Sequence, residues 1–228
     1  TTTGTGGLAL IHNQGSANAS IYGNNVYNCT SNGGTVYGIN SASGTAVSVY
    51  KNNLYNISSN NGNTASSVVY GINNSSTPNI TIYNNFISDL KADMATNNPS
   101  VCGMYLNGGN ANNIYNNTVY LNAASSGTTF GSAAVYVGSV PTTILRNNIL
   151  VNVSTPGATG YTVAYRRSSA AIGTHASTSN NNNFYVGTPG PNNLVFFFFS
   201  TPNPTLASFQ ALVTPAESAS FSELPPFV

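Results

Sequence analysis

The chain has 228 residues, with five Lys plus Arg, four Asp plus Glu and a formal charge of +1. Charged residues are 4% of the total, against roughly a quarter in an ordinary soluble domain; so few cations give no phosphate-binding surface and exclude nucleic acid as a partner. No run of about 18 apolar residues is present to insert into a bilayer, and 40% apolar content with 14 Tyr and 10 Phe belongs to a chain that buries a core rather than a disordered one.

In chain order the dominant feature is an internal repeat. Residues 7–11 open the series, and five later segments fit one gap-free template, [Ile/Val]-x-x-Asn-x-apolar, at 21–26, 49–54, 82–87, 114–119 and 144–149. Their asparagines, Asn24, Asn52, Asn85, Asn117 and Asn147, lie 28, 33, 32 and 30 residues apart, and residues 182–184 are a degenerate sixth copy. A second recurring strand runs between copies, at 36–39, 69–72 and 101–104 around Gly38, Gly71 and Gly103, with looser versions at 134–137 and 162–165. A unit of about 30 residues, made of short β-rich runs and Asn/Gly/Ser corners, predicts a β-solenoid. Helical repeats of that period need Leu/Ala/Glu/Lys segments at 3.6 spacing, and none precedes residue 204.

Alternation along the template places Ile21, Val49, Ile82, Ile114 and Ile144 in one inward column. Ala19, Val47 and Ile80 precede them, and Val26, Leu54, Ile87, Val119 and Ile149 follow. Stacking at about 4.8 Å per coil predicts a continuous axial core. Asn at the template's fourth place suits a sharp corner, because it tolerates the left-handed region and hydrogen-bonds along a stack. Asn24, Asn52, Asn85, Asn117 and Asn147 are therefore expected to form a structural ladder.

The outward positions are then Ser20, Ser48, Thr81, Asn113 and Thr143 in one file, and Tyr22, Tyr50, Tyr83, Tyr115 and Leu145 in the next. Tyr27, Tyr55 and Tyr120 mark a second aromatic file. One reading of the tyrosines is cross-strand stacking on a pleated surface. Another is a polysaccharide-binding face, since sugar C–H faces stack on aromatic rings beside amide and hydroxyl donors. A third is an ice-ordering Ser/Thr/Asn array, which the tyrosines and the uneven repeat length interrupt.

After Asn183 the composition shifts. Residues 195–199 are too apolar for a solvated loop and are expected to pack over the end of the solenoid. Pro204 and Thr205 open a pattern with Leu206, Phe209, Leu212 and Val213 on one side, and Pro215 stops it, predicting a short amphipathic helix. The expected organisation is coils over 1–186 and a C-terminal cap over 187–228 of the same domain. Thr1 starts the chain without an initiating Met, and 225–228 read as an extended segment, so a piece of a longer secreted protein is expected.

Few residues are suited to chemistry. The acidic groups are Asp89, Asp93, Glu217 and Glu223, and only Asp89 and Asp93 are near each other in sequence, around Lys91. Glycoside hydrolysis needs two carboxyls roughly 5–9.5 Å apart across a sugar site, and a solvated loop is the simpler reading of that pair. Lys51 and Arg146 occupy equivalent template places three repeats apart, so they are not expected to meet. His12 and His175 have no acidic neighbour in sequence, which leaves a triad or metal site without support. Cys29 and Cys102 are expected to be buried free thiols about two coils apart, beyond disulfide reach. No catalytic residue, metal site or cofactor is assigned.

The repeat resembles those of right-handed parallel β-helices of the pectate-lyase-like superfamily, and the right-handed crossover rule for parallel strands agrees with that hand. The tail at 187–194 and 216–227 is similar to the ends of β-helix domains in large secreted surface proteins of Bacteroidota. That resemblance implies an all-β, right-handed parallel β-helix of about six coils, located outside the cell or on its surface. Lyases of this fold carry several acidic Ca²⁺ ligands and a basic residue on one outer face, and this chain supplies no such group. The expected function is a non-enzymatic structural or adhesive module, with self-association head-to-tail into a filament or neighbouring domains of a longer parent as partners. The alternatives are a polysaccharide-binding domain using Tyr22, Tyr50, Tyr83 and Tyr115, less readily a polysaccharide-cleaving one, and an ice-binding solenoid.

Overall fold

The computed structural model describes residues 7–15, 17–32, 34–60 and 67–227. Short strands alternate with tight corners and wind into a parallel β-solenoid of about six coils, each coil adding one strand to each of three sheets. The first sheet stacks Leu8–Asn13, Thr35–Ser41, Val68–Asn74, Val101–Leu106, Ser132–Val137, Thr162–Arg167 and Asn193–Phe198. The second stacks Ala19–Tyr22, Ala46–Tyr50, Asn79–Tyr83, Ala111–Tyr115 and Thr142–Arg146. The third stacks Asn25–Ser31, Asn53–Ser59, Phe86–Ser88 with Leu90–Lys91, Thr118–Leu121, Ile149–Asn152 and Asn183–Tyr185.

The inward columns follow the alternation. Ile21, Val49, Ile82 and Ile114 are in register, and so are Val26, Leu54, Ile87 and Val119. The Ala19, Val47 and Ile80 column continues into buried Asn112 and Thr143. Gly38 and Gly71 sit where the first sheet passes close to the third. A Cβ on Gly38 would lie 2.5 Å from Leu54 Cδ2, and one on Gly71 would lie 2.7 Å from Ile87 Cγ2. Only glycine lets the two sheets approach that closely.

The fifth copy runs one residue out of the expected frame. Leu145, not Ile144, pairs with Ile114 and is fully buried, while Ile144 faces outward opposite Asn113. Leu150, not Ile149, pairs with Val119, and Thr143 turns inward. Two adjacent frames fit the template there, because Ile144 and Leu145 are both apolar and Asn147 and Asn148 are both Asn. The corner geometry selects between them. In every coil the residue before the ladder position has positive φ: Gly23, Lys51, Asn84, Asn116, Asn147 and Asn181, at 54–69°. Asn147 takes that left-handed corner, and Asn148 takes the ladder place.

The C-terminal end is closed sheet by sheet. Thr201–Asn203 pairs antiparallel with Asn193–Phe198 and ends the first sheet. His175 and Asn180 bridge to Thr143 and Arg146 at the edge of the second, and Phe221 bridges to Asn183 at the edge of the third. The helix Leu206–Val213 is capped by Thr205, whose hydroxyl accepts from the Ser208 N–H at 3.2 Å, and it buries Phe209 and Val213. Leu212 points to solvent, unlike the sequence pattern, because the eight-residue helix buries too narrow a stripe to include it. Residues 193–198 are a further strand of the first sheet rather than a lid, with Phe196 turned inward against Phe209 at a 4.2 Å ring separation.

Candidate functional site

The asparagine ladder is the most complete hydrogen-bonded system in the molecule. The Nδ2 of Asn24, Asn52, Asn85, Asn117 and Asn148 donates to the Oδ1 of the next asparagine at 2.9–3.1 Å, ending on Asn182. The backbone N–H of each donates to that same Oδ1. The second amide hydrogen of Asn52, Asn85, Asn117, Asn148 and Asn182 reaches back to a carbonyl one coil earlier: Ile21, Val49, Ile82, Ile114 and Leu145. Asn147 is not a rung; its side chain is exposed at the corner.

This chain of donors has a direction and needs a final acceptor. Asn182 Nδ2 donates to Glu217 Oε2 at 2.9 Å, and its backbone N–H donates to Ser220 Oγ at 2.9 Å. Glu217 is fully buried, with its other oxygen 3.1 Å from His175 Nε2, both side chains shut off from solvent. Arg167 is buried nearby and donates to the Tyr165 hydroxyl at 2.9 Å. His175 and Glu217 are 42 residues apart, so no local motif announced the pair. The pair joins the last coil to the cap, with both side chains buried.

The outward tyrosines of the second sheet lie in one file. Tyr22, Tyr50 and Tyr83 stack at 4.9 and 4.7 Å with ring planes within 6°. Desolvation in the stack, then the adjacent phenols of Tyr83 and Tyr22, hold the Tyr50 hydroxyl above its ordinary range. Tyr115 keeps the register but leaves the stack, its hydroxyl donating to Asn113 Oδ1 at 3.2 Å. The next place in the file belongs to Arg146, not Leu145. The frame shift therefore also moves Arg146 out of equivalence with Lys51, which sits at a corner. The Ser/Thr file reads Ser20, Ser48, Thr81, Asn113 and Ile144, so Thr143 is not part of it.

Beside Tyr115 an open cavity of about 280 Å³ is lined by Tyr115, Asn116, Arg146, Asn147 and Asn181. In the third sheet Tyr27 and Tyr55 stack at 5.1 Å, Ser88 interrupts the file, and Phe227 packs edge-on against Tyr120. A third aromatic file escaped the sequence reading. Tyr70, Tyr105 and Tyr136 stack at 4.2 and 4.5 Å on the outer face of the first sheet, and Arg166 then sits 4.8 Å over the Phe197 ring. Tyr70 and Tyr105 come from different positions of successive strands, Tyr70 pairing with Cys102 and Tyr105 with Asn73, so no single repeat position announced the stack. Burial pushes the Tyr70 and Tyr105 hydroxyls well up and the Arg166 guanidinium down. With Cys102, Ala133, Val163, Leu194 and Phe197 the file forms a second apolar cluster on that face.

The remaining candidates are separate. Asp89 and Lys91 form a solvated ion pair at 2.7 Å, and Asp93 stands apart and exposed. His12 lies beside Asn40, whose Nδ2 is 3.0 Å from its Nδ1. Cys29 is half-buried in the third sheet and Cys102 fully buried in the first, a little over two turns further along, and both thiols are free. Among the described residues no three His, Cys, Asp or Glu side chains gather to hold a metal ion. No family model matches the chain, and neither a curated protein nor a solved structure matches it.

Proposed function

We propose that this chain is a non-enzymatic structural module, a rigid extracellular or cell-surface rod that spaces or presents what is attached to it. The observation that carries the reading is the uninterrupted ladder from Asn24 to Asn182, closed on Glu217. A rod whose coils share one core and one hydrogen-bonded spine resists bending and local opening. The buried asparagines Asn52, Asn85, Asn117, Asn148 and Asn182 are all committed to that spine. The surface-protein setting rests on the likeness of the tail to Bacteroidota β-helix domains.

Of the two structural forms, the spacer is favoured over the head-to-tail filament. Filament growth by strand addition needs open strand edges at both ends, and at the C-terminal end the last strands are partly covered, by the antiparallel Thr201–Asn203 and by bridges from His175, Asn180 and Phe221. Electron microscopy and size-exclusion chromatography of the purified chain at high concentration test this. Short isolated rods are expected; filaments with a regular axial repeat would overturn the spacer form. Sugar stacking along the Tyr22–Tyr50–Tyr83 file is disfavoured, since the middle ring, Tyr50, has both faces covered by its neighbours. Ice binding is disfavoured by Ile144 and Asn113 in the Ser/Thr file, and absence of thermal hysteresis is the expected result.

A further inference from the structure

The tyrosine file stops being self-satisfied at one place. Tyr115 does not stack on Tyr83, and the position after it holds an exposed arginine. The Arg146 guanidinium forms no hydrogen bond, ion pair or ring contact among the described residues. Among the described residues the carboxylates within 4 Å of a cation are Asp89, paired with Lys91, and Glu217, beside His175, and neither reaches Arg146. Asn116, Asn147 and Asn181 stand in successive left-handed corners along the same cavity, and their side-chain amides are likewise unengaged and exposed. The cavity of about 280 Å³ thus collects one aromatic ring, one free cation and three amides, each able to donate and accept.

The geometry points to a binding site for a single anionic sugar ring, carboxylated or sulfated, held between Tyr115 and Arg146. Each part of that ligand has its counterpart. The C–H face of the ring lies on the Tyr115 side chain, vicinal hydroxyls pair with the corner amides, and the anionic group takes the guanidinium fork. The volume is at the lower limit of small-molecule sites, which run from roughly 300 Å³ upward, so it admits one ring rather than an extended chain. The coil spacing of about 4.8 Å sets neighbouring corner amides apart at a separation suited to groups on opposite edges of a ring. This site is independent of the structural reading: a rod that presents a docking point for a terminal sugar remains a rod.

The test is calorimetric titration of the full chain with glucuronic acid, N-acetylglucosamine 6-sulfate, glucose, sodium acetate and sodium sulfate. One of the two anionic rings is expected to bind about tenfold or more tighter than glucose and than its own bare ion; which one does distinguishes the carboxylate from the sulfate source. Arg146→Gln is expected to abolish the preference for the anionic ring. Tyr115→Leu and Asn181→Gly weaken ring binding without changing the response to the bare ions. Circular dichroism and thermal midpoints confirm that each variant is folded; Arg146 and Asn181 are exposed, so their substitution leaves the core intact even if Tyr115→Leu does not fold. Equal binding of glucose and the anionic rings, an unchanged titration for Arg146→Gln, or bare ions binding as tightly as the rings (an adventitious ion only) would each overturn the proposal.

Discussion

An interior rung of the ladder uses its full hydrogen-bonding capacity. Asn117 donates to Asn148 Oδ1 and to the Ile82 carbonyl, and accepts from the Asn85 backbone and side chain. Asn117→Ala strips the buried Asn85 N–H of its acceptor and the Ile82 carbonyl of that donor, an expected loss of about 2–4 kcal/mol. Asn147→Gly removes an exposed side chain at a corner glycine adopts freely, and a change within about 0.5 kcal/mol is expected. Urea denaturation compares the two, and equal losses would refute the assignment of Asn147 to the corner. The buried phenols give a second residue-scale expectation. Tyr70 and Tyr105 are raised first by burial and then by neighbouring Cys102 and phenol groups. Above the ordinary tyrosine value of about 10 the unfolded chain releases protons that the folded chain keeps. Unfolded molecules then bind fewer protons, so stability falls as pH rises through that range and is complete below it. Thermal midpoints should decline in step with phenolate absorbance; a flat profile would contradict the packing of this file.

At the scale of the element, the cap is held by one charged cluster. Glu217 Oε2 accepts from Asn182 and Ser220, its Oε1 lies 3.1 Å from His175 Nε2, and its own backbone N–H donates to the Ser179 carbonyl at 2.8 Å. Glu217→Ala leaves the last ladder amide and the Ser220 hydroxyl without their buried acceptor, an expected loss of about 2–4 kcal/mol. A solenoid transmits stability mainly between neighbouring repeats. Hydrogen exchange in Glu217→Ala should therefore accelerate in Asn183–Tyr185 and Thr162–Arg167 while Leu8–Asn13 stays as it was. Acceleration spread evenly over all coils would show that the clasp is not local. The cap helix was legible from Thr205, Phe209 and Val213, but the clasp was not, since His175 and Glu217 belong to different elements and meet only when the last coil closes.

Over the whole molecule, burial depends on how many neighbours a coil has. Ile82 in the third coil is fully covered, whereas Ile21 in the first is only half-buried. Ile82→Ala is expected to cost about 2–5 kcal/mol, the range for a large-to-small change in a packed core, and Ile21→Ala clearly less. Denaturation midpoints for the pair would refute a graded core if the two losses were the same.

The repeat, its period and the inward Ile/Val columns were determined by the sequence alone, because alternation in a strand and stacking of like residues are local rules repeated in every coil. The same rules predicted the ladder up to Asn117. They failed at 144–149, where Ile144 with Leu145 and Asn147 with Asn148 satisfy two frames equally. Only the stacked structure chose between them, since register is a property of a strand against its neighbours and a one-residue shift exchanges core and solvent faces. That choice placed Arg146 beside Tyr115 and Asn147 at the corner, creating the candidate site. Tertiary structure also decided the fate of the Tyr22 file, for ring faces are covered or bare only once the coils are stacked. The closing of the C-terminal edges by residues 175–180, 201–203 and 221 belongs to the same level, because edges exist only when a sheet does.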